Sequence, residues 1–174
     1  MNFDLNKSIE LLERTPRVYK SLFYGLSSDW GSIDEGENTW NAYNIIGHLI
    51  YGEQTDWIPR ARIILSDTKD KTFEPYDRFA QDKLFKGVAI DTLLDEFEVI
   101  RLKNIEELKS WNLTAQDLDK EGIHPDLGSV TLRELIATWT IHDLGHLNQI
   151  SRVIVKHYGN DVGPWAKYSR ILTP

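Results

Sequence analysis

Residues 131–158 read TLRELIATWTIHDLGHLNQISRVIVKHY, with apolar side chains returning at every third or fourth position. That period predicts one long amphipathic helix. TLRE is a capping box in which Thr131 caps and Glu134 reaches back, and Gly159 follows the last periodic residue, so both ends are marked. Two histidines, His142 and His146, are set into the stripe. Residues four apart on a helix differ by about 40° around the axis and stand about 6 Å apart, so both rings point the same way. Leu135, Trp139, Gln149, Ile150 and Val153 share that direction, which turns the pair toward the interior. An unpartnered polar group costs about 1 to 3 kcal/mol there, so each ring needs a partner.

Three further segments carry the same period. The first covers about residues 2–26, with Pro16 suited to a helix start after Thr15, and predicts a short helix, a bend and a second piece. Its expected buried stripe is Leu5, Ile9, Leu12, Val18, Leu22 and Phe23. The second runs from about 39 to 65, capped by Asn38 or Thr39 and kinked at Pro59. The third, about 89–110, places Ile90, Leu93, Leu94, Phe97, Ile100, Ile105 and Leu108 at helical spacing and is the most ordinary of the four. Between the second and third lies SDTKDKTFEPYDRFAQDKLFKG, too long for a tight connection, which predicts a crossover of the bundle or a cover for a site. LTAQDL suits a helical turn, and DVGPWAKYSRIL suits a short C-terminal helix carrying Trp165, Tyr168 and Ile171. The expected fold is all-α, a four-helix bundle of up-down-down-up type in a single domain spanning residues 1–174.

Composition narrows the chemistry. The 174 residues are 41% hydrophobic and 27% charged, enough for one continuous core. With 27 acidic against 20 basic side chains the net charge is -7, and no basic stripe forms, so a nucleic acid or an anionic membrane is not the expected partner. The absence of cysteine leaves His, Asp, Glu and water as metal ligands. The opening MNFDLNKSIELLERTPRVYK lacks the apolar core of a secretory signal, and no stretch reaches the ~20 apolar residues of a membrane span. A soluble cytoplasmic protein is the expectation.

For His142 and His146 alone, ligation of an ion and hydrogen bonding inside the core are evenly balanced readings. His48 shifts the balance, because NAYNIIGHLIYGEQTDW sets it among Ile45, Leu49 and Gly52 on the second long helix. A bundle that joins the middles of the second and fourth helices gathers three imidazoles. Three neutral nitrogens hold Zn²⁺, Ni²⁺ or a similar ion, with Fe, Mn and Co also admitted, and leave a position open for water or substrate. Gly47, Gly52 and Gly145 near these rings point to close helix approach, room for a ligand or plain packing.

The stretches GENTWNAYNIIGHLIYGEQTDWIPRARIIL and TLRELIATWTIHDLGHLNQISRVIVKHYG strongly resemble the DinB-like superfamily of bundle metalloproteins, and the likeness covers nearly the whole chain. The resemblance implies a four-helix bundle, often homodimeric. It also implies a divalent metal on one histidine of the second helix and a pair spaced by four on a later helix, positions that match His48, His142 and His146. Characterised relatives in that superfamily include thiol-dependent enzymes, among them mycothiol-dependent isomerases and bacillithiol S-transferases, so a low-molecular-weight thiol joins a small-molecule substrate among the expected partners.

Helix geometry suggests roles for the other polar residues. Asp56, two turns beyond His48, suits a base lining the pocket, while Glu53 suits pairing with an arginine. Asp143 is rotated about 100° from His142 and suits a salt bridge or the orienting of a ligand on a neighbouring helix. Gln149 suits contact with substrate, Arg152 a solvated face, and Tyr51, Trp57, Trp139 and Trp165 core or pocket walls. His157 lies about 16 Å along the helix from His146, too far to share an ion, and His124 falls in a loop expected to be exposed. Two functions follow: a metal-dependent thiol-dependent S-transferase or hydrolase, or a metal-stabilised dimeric binding or stress-response protein without turnover.

Overall fold

Each long helical pattern becomes a helical arm, and proline breaks two of them. The computed structural model describes residues 3–172. The first arm is α1 (Leu5–Leu12) and α2 (Thr15–Phe23), with Pro16 in the first turn of α2, where its missing N–H has no helical partner to lose. After the short α3 (Asp29–Ser32) comes the second arm, α4 (Ala42–Thr55) and α5 (Trp57–Leu65). Pro59 cannot donate to Thr55 and its ring crowds that carbonyl, so the break falls upstream of it at Asp56. The crossover carries α6 (Ala80–Leu84) into the third arm, α7 (Ile90–Ser110). Then follow α8 (Ala115–Leu118), the strands β1 (Glu121–His124) and β2 (Gly128–Thr131), and the fourth arm α9 (Leu132–Tyr158), before 3-10 turns at Gly163–Tyr168 and Arg170–Leu172.

Contacts between arms give their directions. Glu53 meets Arg101 and Arg62 meets Glu107, so the second and third arms run parallel. Lys20 meets Asp95 and Glu13 meets Lys109, so the first arm opposes the third. Trp57 stacks on Trp139 while His48 lies against His146, so α9 opposes the second arm. This is the up-down-down-up bundle, and the parallel middle pair is why the crossover is long. No helix among the described residues is long and apolar enough to cross a membrane.

Several local expectations are corrected. The second arm is capped by Asn41, whose side chain accepts from the Asn44 N–H. Asn38 has φ 61 and Thr39 bonds back to Gly36, so both belong to the preceding turn. Val18 and Leu22 are 43% and 37% exposed, because the break at Pro16 resets the helical phase and buries Tyr19 beside the expected Phe23. A two-stranded antiparallel hairpin, not read from the period, forms where Gly128 takes φ 78. Phe73 of the crossover donates its N–H to Ile123 O on β1, at 2.9 Å, and ties the crossover to that hairpin.

The core has two apolar clusters with a polar layer between them. Leu12, Trp57, Ile105, Leu132 and Trp139 belong to one, and Tyr19, Leu49, Phe97 and Ile150 to the other. Along the arms the changeover falls at Thr15, Glu53, Arg101 with Asn104, and Asp143. Arg101, with no exposed surface, sits over the Phe97 and Trp139 rings and donates to Asp143 at 2.6 and 3.0 Å and to Glu53 at 2.7 Å. Glu53 also accepts from Asn104 at 2.9 Å and Trp139 at 2.8 Å, while Thr15 donates to Asp143. Tyr19 closes the layer by donating to the Asp143 carbonyl at 2.7 Å.

Removing the one cation strands two buried carboxylates. Arg101→Leu is expected to destabilise the protein by about 3 to 5 kcal/mol, read from urea unfolding followed by circular dichroism. A loss below about 1 kcal/mol, the scale of an exposed pair, would show that the layer contributes little.

Candidate metal centre

The polar layer sets the depth at which α4 meets α9. Glu53 is five residues past His48, and Asp143 adjoins His142. With Arg101 bonded to both carboxylates, the two histidine-bearing stretches stand opposite one another. His48 Nε2 lies 3.0 Å from His142 Nε2, and His146 Nε2 lies 3.1 Å from the same atom. One ring nitrogen from each residue falls within 4.8 Å of the others.

The outer nitrogens of His48 and His146 have partners that suit a ligating tautomer. A ring that ligates through Nε2 carries its proton on Nδ1, and the Tyr76 hydroxyl of the crossover, 3.0 Å from His48 Nδ1 and 3.4 Å from the His48 carbonyl, can accept that proton while donating to the carbonyl. Gln149 Oε1 accepts from His146 Nδ1–H at 2.9 Å. In that tautomer both Nε2 atoms present lone pairs to the cluster. His142 Nδ1 is buried with no partner among the described residues. Burial, then the neighbouring rings, pushes His48 and His142 down to about 3, and burial lowers His146 although its bond to Gln149 opposes this. Neutral rings with converging lone pairs repel one another unless a proton or cation lies between them. The donor set thus fits a divalent ion bound by nitrogen.

Trp40 stacks on His146, with ring centres 6.1 Å apart, and Trp57 meets His142 edge-on at 5.1 Å. A cavity of about 430 Å³ opens from the cluster, lined also by Asp56, Arg60, Tyr76 and Arg78. Burial raises the Asp56 carboxyl to about 6 against the pull of Arg60. Arg60 Nε stands 2.5 Å from Asp56 Oδ1 but off the hydrogen-bond line, so that oxygen has no aligned donor.

The structure distributes the remaining residues as follows. Glu53 pairs with Arg101, and Asp143 binds the same guanidinium rather than any histidine. Arg152 is not free in solvent but bonds both Glu35 carboxylate oxygens, at 3.0 and 2.9 Å. His124 is half-buried at the end of β1 and lines the cavity, because the hairpin folds over it, instead of lying in an exposed loop. His157 packs on Trp30, away from the cluster. Trp57 is a cavity wall, Tyr51 packs on Tyr76 and the second apolar cluster, Trp139 is core and a donor to Glu53, and Trp165 is 73% exposed instead of packed. A Cβ at Gly47 would press on Phe85 and one at Gly52 on Trp57, while Gly145 faces open space. Reading by period missed Arg101 although it lies four residues from both Phe97 and Ile105 on the buried stripe, and missed Tyr76, which no period marks.

The depressed histidines predict an acid limit. The unfolded chain takes up protons on these rings as pH falls below 6.5, while folded His48 and His142 stay neutral to about 3, so stability is lost across that window. Asp56, raised from 3.8 to about 6, opposes the trend over its own narrower window, but it is one group against two. Metal-free protein is expected to show a falling melting temperature between about pH 6.5 and 4, with the slope reduced in His48→Gln. An unchanged slope would mean that the ring takes no part in it.

Residues 11–150 match the sequence profile of the DinB superfamily. A candidate metal-dependent hydrolase of Oceanobacillus iheyensis is 22% identical over 151 residues, 86% of each chain. YfiT from Bacillus subtilis, described as a candidate metal-dependent hydrolase with an unusual four-helix bundle topology, shares 19% identity. It superposes with a TM-score of 0.75 over 88% of this chain and 87% of its own. The match spans the helices that carry all three clustered histidines, and the chain belongs to the DinB superfamily.

Proposed function

We propose that this protein is a divalent-metal-dependent hydrolase of a small molecule, with His48, His142 and His146 as its ligands and Zn²⁺ or Ni²⁺ as the leading ions. The single observation that carries the reading is the convergence of three Nε2 atoms at 3.0 and 3.1 Å beside an open cavity. The names of the relatives support the hydrolytic class. A divalent ion held by His48, His142 and His146 would supply Lewis-acid chemistry, acidifying water and polarising a carbonyl.

The chain's own residues supply the remaining functions. Tyr76 and Gln149 hold two rings in the ligating tautomer. Trp40 and Trp57 wall the cluster and limit solvent. Asp56, with a carboxyl near 6, accepts a proton from the attacking water and returns it to the leaving group. One water is consumed as the C–N or C–O bond of an amide or ester breaks. Asp143 acts at a distance, through Arg101, by fixing the level of α9.

Two alternatives share the donor set. A thiol-dependent S-transferase would draw its sulfur from a small molecule, since the chain has no cysteine. A binding protein would use the ion only to tie α4 to α9. A second copy of the chain is the proposed assembly partner, supported by Leu11 and Ile141, which border one surface depression with Phe3 and Ala137.

Protein purified without a histidine tag is expected to hold about one ion per chain, and His48→Ala or His142→Ala to lose it with helical circular dichroism retained. Full metal retention in both variants would refute the ligand assignment. The loaded protein is expected to hydrolyse members of an ester and amide panel, with Asp56→Asn losing about 10²-fold or more in kcat. Turnover only with an added thiol selects the transferase, and a melting point that falls on chelation without any turnover selects the binding protein. Light scattering is expected to give about twice the 20.2 kDa chain mass, and a monomer at micromolar concentration removes the dimer.

A further inference from the structure

Two cavities flank the histidine cluster, and one cation stands at their boundary. The second, of about 390 Å³, shares Trp40, Arg78 and His146 with the first, so the two form adjoining lobes of one cleft. Three arginines line this cleft. Arg60 is held by Asp56 and Arg152 by Glu35. Arg78 is exposed, and among the described residues its guanidinium makes no ion pair with a carboxylate. It is near enough to the rings for its charge to lower both His48 and His146.

We propose that Arg78 determines substrate specificity by binding an anionic group, a carboxylate or a phosphate monoester, on a substrate whose reacting bond lies at the three histidines. The inference deepens the hydrolase reading and rests on it. A planar guanidinium offers two parallel donors to either anion, and Asp56 and Glu35, already engaged by Arg60 and Arg152, do not compete for it. The opposing charge is Asp126, on the hairpin side of the first cavity, which disfavours an anion at that end and biases the anionic group toward Arg78. Trp40, shared by both lobes, offers a ring face to the part of the substrate between anion and reacting bond.

The test is isothermal titration of the zinc-loaded protein with benzoate, phenyl phosphate and the neutral isostere benzamide, in wild type, Arg78→Ala and Arg78→Lys, repeated on metal-free protein. Wild type is expected to favour at least one anion over benzamide by about tenfold, and the favoured one separates carboxylate from phosphate. Arg78→Ala is expected to lose that preference with zinc content unchanged, Arg78→Lys to keep part of it, and the Arg78-dependent difference to persist without metal. No anion preference in wild type, or a preference that survives in Arg78→Ala, overturns the proposal. Zinc retained by His48→Ala would instead sink the ligand assignment while leaving the Arg78 comparison readable as anion binding.

Discussion

The bonds from Arg101 to Glu53 and Asp143 govern how the helices of this bundle sit against one another. Apolar packing is non-directional, and two helices with greasy stripes can slide by a turn at modest cost. A buried guanidinium between two carboxylates cannot slide, because every donor that leaves its acceptor strands a charge away from water. Arg101 on α7 reaches α4 through Glu53 and α9 through Asp143, and Thr15 and Tyr19 bring in the first arm. All four arms are thereby levelled at one depth.

The histidine cluster sits beside that layer. His142 precedes Asp143 by one residue, so any shift of α9 that broke the ion pair would also carry His142 away from His48. The arrangement divides the interior by polarity. In the charged layer every carboxylate oxygen of Glu53 and Asp143 accepts a hydrogen bond and only Arg101 Nε lacks a partner among the described residues, whereas the imidazole layer keeps an unpartnered His142 Nδ1 and three ring nitrogens converging beside a cavity. Unsatisfied polarity beside a cavity is where a ligand gains most. The crossover completes the site by bringing Tyr76 against His48 and Arg78 to the cleft, and it can do so because its length spans the bundle and its Phe73 is pinned to β1.

Much of this was legible from residue order. The four arms, the capping box at Thr131 and the interior placement of His48, His142 and His146 follow from the period of the helix and from caps that act within one turn. Glu53 was readable as an arginine partner, though not which arginine. Arg101 escaped because a charged residue within an apolar stripe reads as a gap in the pattern, and only its three-sided partnership explains its burial. Val18 and Leu22 were misplaced for a related reason, since a proline break changes the helical phase by an amount the period does not encode.

Residue order alone determined the four helical arms, the start of the last one at Thr131 and that three imidazoles are turned inward, because these depend on interactions within about four positions. The tertiary structure decided that His48 and His142, 94 residues apart, touch through Nε2, which outer nitrogens find partners, and which arginine of the cleft lacks a carboxylate partner among the described residues. Those outcomes depend on the axial register between arms, and here that register is set by a buried charge whose partners lie on other helices.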